Sequence, residues 1–519
     1  MRQTLTATAI LALGAGMAQA DYTLHILHTN DMHSRIESIN KYDSTCDAEG
    51  EAEGACFGGV ARVKTAVEAK RAELADANVL LLDAGDPFQG SLFYSTYKGA
   101  AEAEFMEAIG YDVMAVGNHE FDDGPQGLAD FIEKVSFPVV SGNLDLAGEP
   151  LLADAVEDHV VLEVGGQRIG IVSALATDTV ETSSPGENIT FEDEIAALTA
   201  DVAALEADGV TIIIALNHVG LNKDREIAAA VPGIDLVIGG HSHTLMSNDD
   251  EGTPAYPEMV EGTPVAQAYA YTKYLGHLEI TFDDEGNLTE VSGDPMLLDA
   301  SVTPDAGTLA RIAEMGAPIE ELKQRVVAET ATDIVGTRED CRARECAMGN
   351  LITDAMLDRV KDQGVEIAIQ NGGGIRASID AGKVTMGEVL TVLPFQNTLS
   401  TFEVTGEAIV AALENGVSQY EDGAGRFPQV SGMSYSFDAS AEPGSRISDV
   451  MVGGAPIDPA KLYGVVSNNY VRNGGDGYAM FKDAQNAYDF GPDLADVMAE
   501  FLAENGPYTP YTDGRITAK

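Results

Sequence analysis

Leu24-His25-Ile26-Leu27-His28-Thr29-Asn30-Asp31-Met32-His33 sets the pattern for the first half of this chain: a short apolar run, then polar residues able to bind metal. Four more segments repeat it. Val79-Leu80-Leu81-Leu82 runs into Asp83-Ala84-Gly85-Asp86, and Val113-Met114-Ala115-Val116 into Gly117-Asn118-His119-Glu120. Thr211-Ile212-Ile213-Ile214-Ala215-Leu216 meets Asn217-His218, and Asp235-Leu236-Val237-Ile238 meets Gly239-Gly240-His241-Ser242-His243. Short continuous apolar runs read as buried strands of an α/β sheet. Open α/β sheets carry their sites beyond the carboxyl ends of the strands. The pattern therefore predicts one crevice fed with Asp, Asn and His from five strands, which is how a chain builds a two-metal hydrolytic centre.

Around these runs, residues 59–77 and 191–208 have helical periodicity, so residues 21–304 form an α/β domain. Residues 305–327 read as a charged helical connector, with Pro318 interrupting it or starting a second helix. From 328 to 519 the pattern restarts as a smaller domain. There Gly349 opens a helix, Val365–Ile369 is a strand, and Thr405 caps a helix over 406–416. At 519 residues, two domains are expected.

Residues 1–20 carry the marks of an export signal: Arg2, an apolar stretch from Ala7 to Leu13, and Ala18-Gln19-Ala20 as a cleavage site. No Cys follows that cut to take a lipid, no later run spans a membrane, and no hydrophobic tail closes the sequence, so a periplasmic or secreted protein without a membrane anchor is expected. Four cysteines agree with an oxidising compartment, and Cys46–Cys56 and Cys341–Cys346 are the simplest pairs. Neither pair has the two-residue spacing of a zinc knuckle. Acidic residues outnumber basic ones 84 to 30, for a net charge of −54. Such a surface repels nucleic-acid backbones and anionic membranes and points to a salty habitat. A phosphate-bearing substrate must then meet a local positive field, from metal ions and a few placed arginines.

Asp-x-His and Gly-Asp are common singly; their conjunction carries the reading. Of the nine histidines, His33, His119, His218, His241 and His243 fall in the strand-end segments, beside Asp31, Asp86 and Asn118. His25, His28, His159 and His277 are assigned to structure. Mixed oxygen and imidazole donors suit Zn, Mn or Co. The order Asp31-x-His33, Gly85-Asp86, Gly117-Asn-His-Glu120, His218, Gly240-His-Ser-His243 resembles the calcineurin-like metallophosphoesterase pattern. Leu27–Arg35, Gly58–Arg62, Cys341-Arg-x-Arg-x-Cys346, Met348–Ile352, Asn371-Gly-Gly-Gly-Ile-Arg376, Leu393-Pro-Phe395 and Asn473-Gly-Gly-Asp-Gly477 narrow the resemblance to the 5′-nucleotidase family, with its ecto-enzymes and its periplasmic UDP-sugar hydrolases.

That resemblance implies a four-layer α/β-β-α metallophosphoesterase domain followed by an α+β substrate-binding domain. It implies two divalent ions, one held by Asp31, His33, Asp86 and His243 and the other by Asp86, Asn118, His218 and His241, with Asp86 shared. The family varies between His, Asn and Gln at position 243. His119, positioned by Asp122, is implied as the catalytic histidine that stabilises charge or protonates the leaving oxygen. In the second half, Arg342 and Arg376 are implied to hold phosphate, which guanidinium forks suit independently. Arg35 and Arg344 are weaker candidates. Phe395 and Tyr470 are implied to stack on the base, with Tyr470 where the family usually has Phe, and Asn371 and Asp476 to hold base and ribose. The expected activity is release of phosphate from nucleoside 5′-monophosphates. Nucleotide-sugar, nucleoside di- or triphosphate, or 2′,3′-cyclic-nucleotide hydrolysis on the same centre is the alternative. The aromatic pair argues against a related thiohydrolase, and the complete donor set against a binding protein without catalysis.

Overall fold

The computed structural model describes residues 21–519, apart from 42, 44, 251, 396 and 490. The export segment read at 1–20 lies outside the described residues. In chain order the first half contains β1 (Tyr22–Thr29), α1 (Val60–Glu73), β2 (Asn78–Asp83), α2 (Ala100–Ile109), β3 (Val113–Ala115), α3 (Glu194–Ala207), β4 (Ile212–Leu216), α4 (Leu221–Ala230), β5 (Leu236–Ile238) and α5 (Ala306–Lys323), among others.

All five apolar runs are strands, but they divide between two sheets. β1, β2 and β3 run parallel in a seven-stranded sheet, where β1 also pairs antiparallel with Tyr274–Phe282. β4 and β5 run parallel in a six-stranded sheet. The runs are apolar throughout because both faces of each strand are covered. Leu24, Ile26, Leu80 and Leu82 pack toward the second sheet, in the cluster that holds Ile213 and Val237. Leu27 and Leu81 point the other way, onto Val60, Val63 and Val67 of α1 and Phe105 and Met106 of α2. The second sheet is covered outside by Leu198, Val202 and Leu205 of α3 and Ile227 of α4. Each such side chain contributes about 1.5–3 kcal/mol by leaving water. The result is the helix–sheet–sheet–helix layering that the resemblance implied, with the ends of both sheets feeding one site.

Pro318 neither interrupts nor starts a helix: α5 is continuous through it. Pro318 and Glu314, whose carbonyl loses the bond, are both exposed residues of the helix, so the loss does not fall in the core. α5 is fastened to the first half. Arg311 grips Glu104 with two bonds of 2.6 and 2.9 Å, and the Tyr97 hydroxyl donates to the Met315 carbonyl at 2.7 Å.

The second half contains α6 (Ala347–Arg359), β6 (Val365–Asn371), β7 (Pro428–Ser431) and β8 (Leu462–Asn468). A mixed five-stranded sheet runs β7, β6, β8, Leu399–Thr405, Gln485–Tyr488. One face packs on α6 and the helix Leu494–Glu504, the other on the helix Gly406–Val417. Thr405 caps the latter, its hydroxyl accepting from the Ala408 N–H at 3.3 Å. A separate four-stranded sheet takes in Ile516–Ala518. Both expected disulfides form, with Cα separations of 5.8 Å for Cys46–Cys56 and 5.1 Å for Cys341–Cys346. Among the described residues no helix is long and apolar enough to cross a membrane. The four histidines assigned to structure have such roles: His28 lies 2.6 Å from the Tyr256 hydroxyl, His25 pairs with His277 at 3.3 Å, and His159 meets Asp201 at 3.2 Å.

Candidate metal centre and substrate cavity

The turns after β1, β2, β3, β4 and β5 bring Asp31, His33, Asp86, Asn118, His218, His241 and His243 together. Asp31, His33 and His243 form one group whose donor atoms lie within 4.8 Å of one another; Asp86, His218 and His241 form a second, and His33, Asp86 and His119 overlap both. Asp31 Oδ1 is 3.2 Å from His243 Nε2, and Asp86 Oδ2 is 3.1 Å from His218 Nε2. Asn118 Oδ1 faces both His218 Nε2, at 3.2 Å, and His241 Nδ1, at 2.9 Å. His119 Nδ1 meets Asp122 Oδ2 at 2.6 Å, and its backbone N–H donates to Asp86 Oδ1 at 2.9 Å.

The backbone bends hard to achieve this. Asp31, His33, Asp86, His241 and His243 have φ of 51, 46, 60, 72 and 49°. Left-handed backbone costs a non-glycine residue about 1 kcal/mol or more, and such strain clusters at functional sites. It turns each side chain back over the strand ends instead of along them.

The donor set fits divalent cations. Asp31 and Asp86 are almost fully buried, with neither Lys nor Arg among their ion-pair partners in the described residues. His33 Nε2 and His243 Nε2 lie 2.9 Å apart, where two imidazoles can share only one proton or point two lone pairs at one ion. Asn118 turns its oxygen inward, while its buried Nδ2 has no hydrogen-bond partner among the described residues. Burial would raise the Asp31 carboxyl, but the charge of His243, its hydrogen bond and His218 bring it down to about 2. Burial would lower His218, yet Asp86 and then Asp31 raise it to about 10.

The expected substrate residues gather elsewhere. Arg342, Asn371, Arg376, Phe395, Tyr470 and Asp476 line one cavity of about 960 Å³. None of the metal-centre residues lines it; its other wall comes from the first half and α5, with Asn40, Lys41, Leu92, Phe93 and Lys323. Arg342 is nearly buried, and its Nε has no hydrogen-bond partner among the described residues. Burial, and then the neighbouring charges of Arg338 and Arg376, lower its pKa. Arg376 stacks over Phe395 at 5.5 Å. Asn371 Nδ2 donates to Asp476 Oδ2 at 2.7 Å, and the Tyr470 hydroxyl donates to Asp476 Oδ1 at 3.0 Å. Gly373 must lack a side chain, since a Cβ there would lie 2.8 Å from the Gly425 Cα.

Two weaker candidates drop out. Arg35 is buried under the metal turns, donating to the carbonyls of His33 and Gly90 and lying 4.9 Å from the Tyr271 ring. Arg344 is exposed and pairs with Asp340 at 3.0 Å. The sequence reading gave no role to Glu120, whose buried carboxylate accepts from the backbone N–H of Gly117 at 2.7 Å, Asp86 at 3.1 Å and Phe88 at 3.3 Å. It ties the two turns carrying Asp86 and Asn118, and no spacing rule announces such a tie. Ser183, which donates to Asp122 Oδ1 at 2.8 Å, was equally silent.

Residues 24–245 match the calcineurin-like phosphoesterase family model, and residues 326–483 the 5′-nucleotidase C-terminal domain. The chain is 40% identical over 539 residues to the 5′-nucleotidase of Diplobatis ommata, a match covering 98% of this chain and 92% of that one. Among solved structures it resembles the 5′-nucleotidase precursor from Thermus thermophilus, with 41% identity, a TM-score of 0.62, and 96% and 99% of the two chains covered. It also resembles the NAD nucleotidase of Haemophilus influenzae, with 27% identity, a TM-score of 0.77, and 96% and 100% covered. A calcineurin-like phosphoesterase half whose strand ends converge on a cluster of metal donors, joined to the matching C-terminal half, places this chain in the 5′-nucleotidase family of metal-dependent hydrolases.

Proposed function

We propose that this chain is an exported, periplasmic or secreted phosphohydrolase that releases phosphate from nucleoside 5′-monophosphates. Residues 21–304 carry the metal centre, 305–327 connect, and 328–519 bind the nucleotide. The observation that carries this reading is the pairing of a seven-residue donor cluster with a cavity that holds Arg342 and Arg376 beside Phe395 and Tyr470. In so acidic a chain, two arginines in one cavity are a local exception. Asp31, His33, Asp86 and His243 would hold one divalent ion, of Zn, Mn or Co, and Asp86, Asn118, His218 and His241 the other. Such a pair lowers the pKa of water and neutralises developing phosphoryl charge.

The chain's own residues do the rest. Arg342 and Arg376 bind the phosphate oxygens, and Arg342 Nε, without a partner among the described residues, is a donor awaiting an acceptor. Because no metal-centre residue lines their cavity, the second half must shift to carry the bound phosphate to the ions. Phe395 and Tyr470 stack on the base, Asn371 touches it, and Asp476 accepts from the ribose hydroxyls. His119 stays charged beside Asp122, whose carboxylate together with Asp86 raises it to about 9 against the effect of burial. In that state it can stabilise the transition state or protonate the leaving ribose oxygen.

Phosphate release from AMP and p-nitrophenyl phosphate, with and without chelator, tests the reading. Chelator should abolish both activities. Phe395→Ala or Tyr470→Ala should remove about 1–3 kcal/mol of base stacking and lower kcat/KM for AMP by roughly 5–150-fold. Turnover of p-nitrophenyl phosphate, which has no base, should barely move. Equal losses on both substrates would assign the rings to packing. The breadth of the cavity favours including UDP-glucose, ADP, ATP and a 2′,3′-cyclic nucleotide in the panel; faster cleavage of any of these than of AMP would replace the monophosphate assignment.

A further inference from the structure

We infer that Gln429 is a positioning residue that sets Arg342 for the substrate phosphate; the inference rests on the assignment of Arg342 proposed above. Gln429 lies on β7, opposite Gln370 of β6, and is fully buried. Its side chain is spent on the loop that Cys341–Cys346 closes. Nε2 donates to the Cys341 carbonyl at 3.0 Å and to the Arg344 carbonyl at 2.7 Å, while Oε1 accepts from the Cys346 N–H at 3.1 Å. Both amide hydrogens are thereby used. Room for this amide comes from Gly349: a Cβ there would lie 2.4 Å from Gln429 Oε1.

The disulfide and Gln429 do different things. A ring closed through sulfur fixes where the loop begins and ends; inside it the N–H groups of Ala343 and Arg344 reach the Asp340 carbonyl at 3.1 and 3.0 Å, and Gln429 holds the carbonyl side. The Cys341 carbonyl belongs to the peptide that leads into Arg342, and the Arg344 carbonyl lies two residues beyond. Holding both from one rigid strand fixes the plane from which the Arg342 side chain departs. On its N-terminal side the Arg342 backbone is held only by the end of a one-turn helix, Arg338–Cys341, its N–H donating to the Arg338 carbonyl at 3.2 Å. Among the described residues its side chain finds one acceptor, the Gly423 carbonyl at 3.5 Å. A guanidinium that must meet phosphate oxygens through a fixed fork gains most from a fixed root.

The test is a double-mutant cycle on AMP hydrolysis by the metal-loaded enzyme, using Gln429→Met, Arg342→Ala and the pair. Gln429→Met keeps the volume and removes both donors and the acceptor. It should raise KM about tenfold with kcat held within about twofold, as expected for lost phosphate positioning. In the Arg342→Ala background the same change should cost nothing further, because its effect passes through Arg342. An unchanged KM in Gln429→Met, or losses that multiply in the pair, overturns the inference. If Gln429→Met loses its cooperative melting transition, Gln429→Glu decides by the same criteria, its carboxylate facing the two carbonyl oxygens in the same space. A harmful Arg342→Ala beside a harmless Gln429→Met sinks this inference alone. A harmless Arg342→Ala sinks the phosphate assignment and this inference with it.

Discussion

Asp86 is the residue on which the centre turns. Its carboxylate oxygens reach the His119 backbone N–H at 2.9 Å and His218 at 3.1 Å, and its own N–H is held by Glu120 at 3.1 Å. Among the described residues Asp86 and His33 each belong to two of the three donor groups, and of the two Asp86 also holds the turn after β3 through the His119 N–H. If Asp86 is shared by the two ions as proposed, Asp86→Ala should release both and abolish phosphate release, since a shared ligand has no substitute. Metal content by elemental analysis, read beside activity, checks this; an active enzyme retaining both ions would dismiss the shared-ligand geometry. His119→Ala should behave differently, keeping the ions while kcat falls by ~10²–10⁴-fold. Loss of metal from that variant would make His119 a ligand instead.

At the scale of the element, β1 carries both a site and a pH liability. His28 sits three residues before Asp31, fully buried, with Nε2 on Tyr256 and Nδ1 without a hydrogen-bond partner among the described residues. Burial, and then the charge of His277, lower its pKa to about 3. A histidine kept neutral in the fold but titrating near 6.5 when unfolded contributes stability above about pH 6.5 that is lost as pH falls toward 3. The full loss is on the order of 5 kcal/mol. His28→Gln keeps a partner for Tyr256 and removes the titration, so its unfolding free energy should fall less steeply than wild type between about pH 6.5 and 3. Parallel curves for the two proteins would clear His28 of the effect.

The elements also mark what could be read in the chain. Asp31, Asp86, Asn118, His218 and His241 were legible because each follows an apolar run by a few residues, and strand direction alone puts them at one edge. That the runs belong to two sheets was not legible in the runs themselves, since a strand covered by a sheet and one covered by a helix are equally apolar; only the family resemblance implied it. Arg342, Phe395 and Tyr470 come from segments whose meeting no local rule foretells; only the family resemblance picked them out. Glu120 and Gln429 escaped both routes, because their worth lies in backbone groups of other segments: Gln429 serves carbonyls more than 80 residues earlier. Pro318 misled because the lost bond and ring clash that a proline brings are local costs, and α5 is held by contacts to Glu104 and Tyr97 that no local rule counts.

For the whole molecule the governing quantity is a charge of −54. Self-repulsion on that scale is relieved as salt shortens the screening length from ~10 Å at 0.1 M to ~3 Å at 1 M. The melting temperature should rise with KCl over that range, and a steady decline would refute a salt-relieved surface. The division of the site between two sheets has a further outcome. Neither sheet owns a complete set of donors: Asp31, Asp86 and Asn118 follow strands of one, His218 and His241 strands of the other. A chain with one sheet formed, or with the two slid past each other, assembles no centre at all. Catalytic competence therefore acts as a proofreading signal for the sandwich, switched on only after its two halves have found each other in register.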